Sequence, residues 1–284
     1  MAKTRVAVTG LGLMTGLGLD LETSWRGLLE GVSPIQTFSL FDPSGLGAHF
    51  GVELPSGADE VFKSRIKKRR RQQMTRGTML ASVTAEMALE DSGLALSDLD
   101  RSRVGVVAGG TGTGYAGTAL ETDPDRILRN MANAPASWIS LTHKLAGPSF
   151  VVSTACSSGA YALASAFGLI SGGVCDAVVA GAGDSTLNPV DVQGFSSIMA
   201  LAESFEPVSE ASCPFDSRRD GFVMGEGGGF LVLERLDYAR DRNARIYAEL
   251  SLPGLVSETY NIMSPRPGGV GMAAAMSRAL DQAN

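Results

Sequence analysis

Histidine is scarce in this chain: His49 and His143 are the only two among 284 residues, so the side chain that most often moves protons near neutral pH is available at two places at most. Cysteine is scarce too. Cys156, Cys175 and Cys213 are three in all, an odd number and too few for a disulfide framework, which points to a reducing, cytoplasmic setting and to any special cysteine being special for its reactivity. The same shortage leaves little from which to build a metal centre, and none is expected. No apolar run reaches the ~18 to 20 residues that a membrane helix needs, and the start, Met1 to Gly10, reads as a strand entering a turn rather than as a leader. No membrane association is expected. Pro- or Ser-rich linkers and short-period repeats are also missing. What is present, 44% hydrophobic and 19% charged residues, is ordinary for a globular chain with a sizeable core.

Charge is unevenly placed. Residues 61–76 hold Lys63, Arg65, Lys67, Lys68, Arg69, Arg70, Arg71 and Arg76 without one acid, while the whole chain has a formal charge of −6. Such a block attracts an acidic partner across about a Debye length, ~8 Å in physiological salt, while the remaining surface repels it. A solvated helix end is the plain alternative. Nucleic acid is disfavoured, because neither interleaved aromatics nor a nucleic-acid fold signature accompanies the block.

Apolar β-branched runs alternate with helical patterns: Arg5 to Thr9, then Leu21 to Leu29; Arg103 to Ala108, then Asp125 to Met131 and Ala136 to Leu145. Phe150 to Ser153, Ser157 to Ile170, Asp176 to Gly181, Gly228 to Glu234 and Arg245 to Leu250 continue the series. Strands alternating with helices predict a layered α/β protein. The 35 glycines cluster at predicted strand ends, as in Gly10-Leu11-Gly12 and Gly109 to Gly114, where they mark tight turns or close backbone approach. Neither cluster has the spacing of a dinucleotide loop or the Lys of a phosphate loop. Ser157 to Ile170 has almost no polar face, which predicts a helix buried in the middle of the molecule.

Cys156 lies between the strand Phe150 to Ser153 and that helix. A thiolate there meets the unpaired N–H groups at the positive end of the helix, which favour the anion. The small residues Ala155, Ser157, Ser158 and Gly159 let a substrate come close, and the Cys156 N–H can donate to the oxyanion formed when the thiolate attacks a thioester carbonyl. The local sequence leaves open the alternative of a buried structural cysteine, the usual fate of a free thiol. For Cys175, at the head of a strand, and Cys213, in a loop before Pro214, structural roles are expected.

Thr154-Ala155-Cys156-Ser157-Ser158-Gly159 resembles the nucleophile motif of the β-ketoacyl-acyl-carrier-protein synthases. Val6-Ala7-Val8-Thr9-Gly10-Leu11-Gly12 is similar to that family's opening strand, and Gly147-Pro148-Ser149 to the lead-in of its nucleophile strand. Pro214-Phe215-Asp216-Ser217-Arg218-Arg219-Asp220-Gly221-Phe222-Val223-Met224-Gly225-Glu226-Gly227 resembles a second long signature of the elongating type. The matches run in the family's order from about residue 4 to residue 284.

The resemblance implies a thiolase-like fold, α/β/α/β/α in layers, made of two similar halves that each hold a mixed five-stranded sheet. Residues 1–255 would form the N-terminal half and 256–284 the start of the C-terminal one. It also implies that Cys156 takes an acyl chain from the phosphopantetheine arm of an acyl carrier protein, and that the carbanion from a malonyl carrier protein then attacks it, in fatty-acid or polyketide assembly. The chain itself would bind no cofactor. By the same resemblance Glu226 pairs with a basic residue beneath the site, Asp216 and Arg219 brace the same loop, and Gly112 and Thr113 lie near the acyl pocket. Lys63, Arg65, Lys67, Lys68, Arg69, Arg70 and Arg71 would meet the acidic carrier protein, and Phe150 to Ser153 would pair across a dimer axis with a second copy or a related subunit.

One departure stands out. The two histidine motifs with which the family stabilises the enolate are absent from this sequence, and His49 and His143 read as ordinary structural or surface residues. Loss of one such donor typically costs about 2.7 to 4 kcal/mol in barrier, so full condensation by these residues alone is not expected. A truncated product, or a split subunit completed by a partner, is the expectation that follows. A non-catalytic subunit similar to chain-length factors is the alternative, with the retained Cys156 against it.

Overall fold

The computed structural model describes residues 4–96, 99–110, 124–262 and 264–283 and puts the most apolar runs of the chain at the centre of one mixed sheet. In chain order the strands are β1 (Val6–Met14), β2 (Gln36–Thr37), β3 (Phe50–Gly51), β4 (Val104–Gly109), β5 (Ser149–Val152), β6 (Ala177–Asp184), β7 (Gly227–Arg235) and β8 (Ala248–Leu250). The main sheet has the order β5-β4-β6-β7-β1-β8. β4 runs parallel to both its neighbours, β7 is antiparallel to β6 and β1, and β8 is antiparallel to β1. Every residue of β4 is buried, as parallel strands covered on both faces require. The five strands expected from the resemblance are therefore joined by a sixth: the free edge of β1 takes up the short β8, and the Tyr247 N–H donates to Val8 O at 2.9 Å just before it.

Side chains alternate across these strands and build two cores. On one face Val104, Val106, Ala108, Val179, Phe230 and Val232 pack against α4 (Arg76–Ser92) and α6 (Ala134–His143). On the other, Val107, Val178, Ala180 and Leu233 pack against Ala162, Ala166, Phe167 and Ile170 of α7 (Ser158–Ser171). The remaining helices are α1 (Leu21–Leu29), α2 (Ala58–Arg65), α3 (Lys68–Arg71), α5 (Arg126–Asn130), α8 (Pro189–Ser197), α9 (Leu236–Asp241) and α10 (Val270–Ala283). Residue 255 falls in the irregular stretch between β8 and α10. Among the described residues no helix is long and apolar enough to cross a membrane.

Two expectations need correction. Gly10 and Gly12 do not form a turn; they lie inside β1, where a Cβ on Gly10 would sit 2.2 Å from Ala88 O and one on Gly12 1.9 Å from Thr84 O. Their lack of side chains lets α4 lie directly on the sheet. α7 is also less enclosed than its composition predicts: Ala162, Ala166 and Ile170 are buried on the sheet, whereas Ala160 and Gly168 are exposed and Tyr161, Leu163 and Leu169 half-buried. The described residues lay no second sheet over that side.

At the end of the sheet where β4 and β6 begin, Asp176 accepts from Arg103 Nη2 at 2.9 Å and from Arg235 Nη1 at 3.0 Å. The Arg103 hydrogen bonds hold its carboxyl below the usual value of 3.8 despite some burial. A depressed folded value means that the stabilisation is present above pH ~4 and is lost as the pH falls through the lower folded value. The thermal midpoint of Asp176→Asn should accordingly be lower than wild type at neutral pH and should fall less steeply below pH ~4.

Candidate active site

β5 delivers the chain to the edge of the sheet where β4 and β6 also end, and a five-residue turn, 153–157, leads into α7. Cys156 is exposed at the apex. Ala155, just before it, has φ +51°, a left-handed conformation that costs an L-residue energy and persists only where its surroundings enforce it. Here they do. The Ser157 hydroxyl donates to Thr154 O at 2.8 Å, the Ser158 hydroxyl donates to Ala155 O at 2.6 Å, and the Thr154 N–H donates to the Ser158 hydroxyl at 2.9 Å. The backbone N–H groups of Ser157 and Ser158 close the turn onto Thr154 O and Ala155 O. The Cys156 N–H stands outside this set, beside its own Sγ and ahead of the first turn of α7, where donors favour a developing anion.

The end of β4 fixes this helix from below. A Cβ at Gly109 would lie 2.6 Å from Ser158 O and 2.8 Å from Gly159 N, so only glycine lets the strand support the first turn of α7 so closely. Beside it the Gly110 N–H donates to Val152 O at 3.1 Å, extending the β4–β5 ladder toward the Cys156 turn.

Glu226 precedes β7 at the same edge of the sheet, next to the end of β6. Its side chain is fully buried, and Arg76 clasps it from the start of α4 with Nε at 2.5 Å and Nη2 at 2.9 Å. The Leu54 N–H at 3.0 Å and the Ser185 hydroxyl at 2.8 Å complete its bonds. Burial works against the charge on Arg76, but the hydrogen bonds and charge of Glu226, with Asp59 behind them, outweigh it and hold the guanidinium above its usual pKa. Arg76 thus leaves the basic block and becomes the partner of Glu226.

Asp216 and Arg219 lie apart from that pair. Arg218 engages the Asp216 carboxylate, with Nη2 at 3.0 Å and its backbone N–H at 2.8 Å, while the exposed Arg219 donates to Asp216 O at 2.8 Å. These bonds brace the 213–220 loop internally. Gly112 and Thr113 lie outside the described residues.

The basic block divides into inward and outward parts. Arg65 bridges Glu86 and Glu90 of α4, Arg71 donates to Ile66 O, Arg70 donates to Thr142 and lies over the Trp138 ring, and Lys63 pairs with Glu60. Lys67, Lys68 and Arg69 face solvent with no partner among the described residues. His143 ends α6, before β5, so the four-residue strand, ~13 Å long, separates it from Cys156. Burial pushes its imidazole pKa down. His49 is exposed and rests edge-on against Phe50. Cys175 is buried, and that burial pushes its thiol up; Cys213 is half-buried in its loop. Among the described residues no cluster of three or more His, Cys, Asp or Glu could hold a metal ion.

The strand order and an exposed cysteine at a strained strand-to-helix turn fit the thiolase-like fold that the resemblance implied. The sequence matches the model of the Beta-ketoacyl synthase, N-terminal domain, over residues 3–239. It is 36% identical to 3-oxoacyl-[acyl-carrier-protein] synthase 2 of Rhizobium meliloti, covering 98% of this chain and 70% of that protein. Two solved structures superimpose over 99% of this chain and 70% of theirs. One is a type II polyketide ketosynthase in complex with its acyl-carrier protein, with a TM-score of 0.84 and 28% identity. The other is the ishigamide ketosynthase/chain length factor, at 0.86 and 27%. The chain belongs to the β-ketoacyl synthase family.

Proposed function

We propose that this chain accepts an acyl group on Cys156 from the phosphopantetheine thioester of an acidic acyl carrier protein, the first half of a 3-oxoacyl synthase reaction. The exposed thiol at the head of α7, on a turn held by its own serines, is the observation that carries the reading. Sγ attacks the thioester carbonyl, the Cys156 N–H donates to the oxyanion, and collapse expels the pantetheine thiolate, which takes up a proton as it leaves. The second half, decarboxylation of a malonyl thioester and attack on the acyl-enzyme, needs donors near the malonyl carbonyl that His143 is too far away to supply. Residues 1–255 are the nucleophile-bearing half in this reading, and the exposed edge strand β5 pairs with a second copy or a related subunit.

Carrier docking falls to Lys67, Lys68 and Arg69, because the other cations of the block are engaged within the molecule: Lys63 by Glu60, Arg65 by Glu86 and Glu90, Arg71 by backbone carbonyls, Arg76 by Glu226, and Arg70 by Thr142 and the Trp138 ring. Reversing all three to Glu should lower the rate of acyl transfer from a carrier-borne thioester roughly tenfold or more, remove most of its salt dependence, and leave transfer from a small free thioester unchanged. Equal losses with both donors would overturn the docking assignment. Saturable transfer from the carrier-borne donor, faster than from the free one, tests the function itself.

A further inference from the structure

We infer that Ser158 is a positioning residue for the nucleophile: its hydroxyl locks the turn on which Cys156 stands by bridging Thr154 and Ala155. The inference rests on the acyl-transfer reading for its consequence, and on geometry for its content. Ser158 is 4% exposed. Its hydroxyl accepts the Thr154 N–H at 2.9 Å and donates to Ala155 O at 2.6 Å, so one oxygen ties together the residues on the near side of Cys156. Ala155, the second of the two, holds φ +51°, and an L-residue leaves that region readily once its neighbours release it. Ser157 adds a bond to Thr154 O, but no bond that it makes reaches the Thr154 N–H. Without the Ser158 hydroxyl that N–H loses its partner, whereas Ala155 O keeps the Ser158 N–H at 3.1 Å. Relaxation of Ala155 would swing Cys156, both Sγ and N–H, away from the head of α7, although Gly109 still supports the helix itself.

The link through Ala155 gives the inference a signature that ordinary structural support lacks. Glycine enters the left-handed region without penalty, and Ala155 is exposed, so Ala155→Gly removes little packing. Glycine at 155 should therefore make the turn less dependent on Ser158. Two rates are to be measured on wild type, Ser158→Ala, Ala155→Gly and the double variant: alkylation of Cys156 by iodoacetamide, read by intact mass, and single-turnover acyl transfer at varied thioester donor. Ser158→Ala should lower the saturating acyl-transfer rate roughly 10- to 100-fold, the scale of a misplaced reacting group, with the donor half-saturation unchanged, and should slow alkylation as well. The double variant should recover the greater part of both losses.

Wild-type rates in Ser158→Ala overturn the inference. So does a loss that Ala155→Gly leaves in place, since Ser158 would then act only through general stability. If the wild type is alkylated at Cys156 but accepts no acyl group, the acyl-transfer reading fails, and the alkylation rates alone decide the role of Ser158.

Discussion

Cys156→Ala is expected to reduce acyl transfer to the background of spontaneous thioester hydrolysis while changing stability by no more than about 0.5 kcal/mol, as for other exposed substitutions. The complete loss follows from where the other thiols lie. Cys175 is buried beside Gly105 in the sheet, and burial pushes its thiol up, so it is closed to a carrier and poorly ionised. Cys213 is half-buried in a loop, its Sγ directed at Ala211 O. Neither stands at the head of a helix on an exposed turn as Cys156 does, so neither is expected to take its place. Thermal melting and single-turnover acyl transfer check the two halves of the prediction separately. Residual transfer above background in a folded Cys156→Ala protein would show a second nucleophile.

The second large effect lies away from Cys156. Arg76→Ala leaves the Glu226 carboxylate fully buried with only the Leu54 N–H and the Ser185 hydroxyl as partners. Removing one member of a buried ion pair costs about 3 to 5 kcal/mol, which lowers the thermal midpoint by roughly 6 to 20 °C at the 2 to 4 °C per kcal/mol of domains this size. The pair joins the start of α4, the end of β6 and the start of β7, so the damage spreads along the sheet edge that carries the site. Arg76→Met with Glu226→Gln removes both charges and should cost less than Arg76→Ala alone. Denaturant unfolding of the cycle tests this, and a loss below about 1 kcal/mol in Arg76→Ala would contradict it.

The segment around Cys156 was the most legible part of the sequence. A β-branched run, a cluster of small residues around Cys156 and a fully apolar helix predict strand, turn and helix, and Ser149–Val152 and Ser158–Ser171 answer to them within a residue or two. α4 was not legible, although it is the central helix of one face. Thr78, Leu80, Ala81, Val83, Thr84, Ala85 and Ala88 are buried on nearly every side of it, so no polar stripe marks a helical period. The same close packing hid the extent of β1, because glycines that look like a turn are there to admit α4. Charge misled for a related reason. The run from Lys63 to Arg71 reads as one patch, but the acids that neutralise Arg65 come from Glu86 and Glu90, on a helix not visible in the pattern. The family resemblance, not the residue pattern, marked Glu226 as needing a basic partner; that the partner is Arg76, 150 residues earlier, depends on the order in which the strands assemble.

The central claim is that Cys156 is an acyl acceptor. Incubation of the intact 284-residue chain with an acyl carrier-protein thioester, followed by intact-mass measurement and peptide mapping, tests it most directly. One acyl group per chain, located on Cys156 and absent from Cys175 and Cys213, is the predicted result; a folded chain that stays unmodified, or is modified at another cysteine, would contradict it.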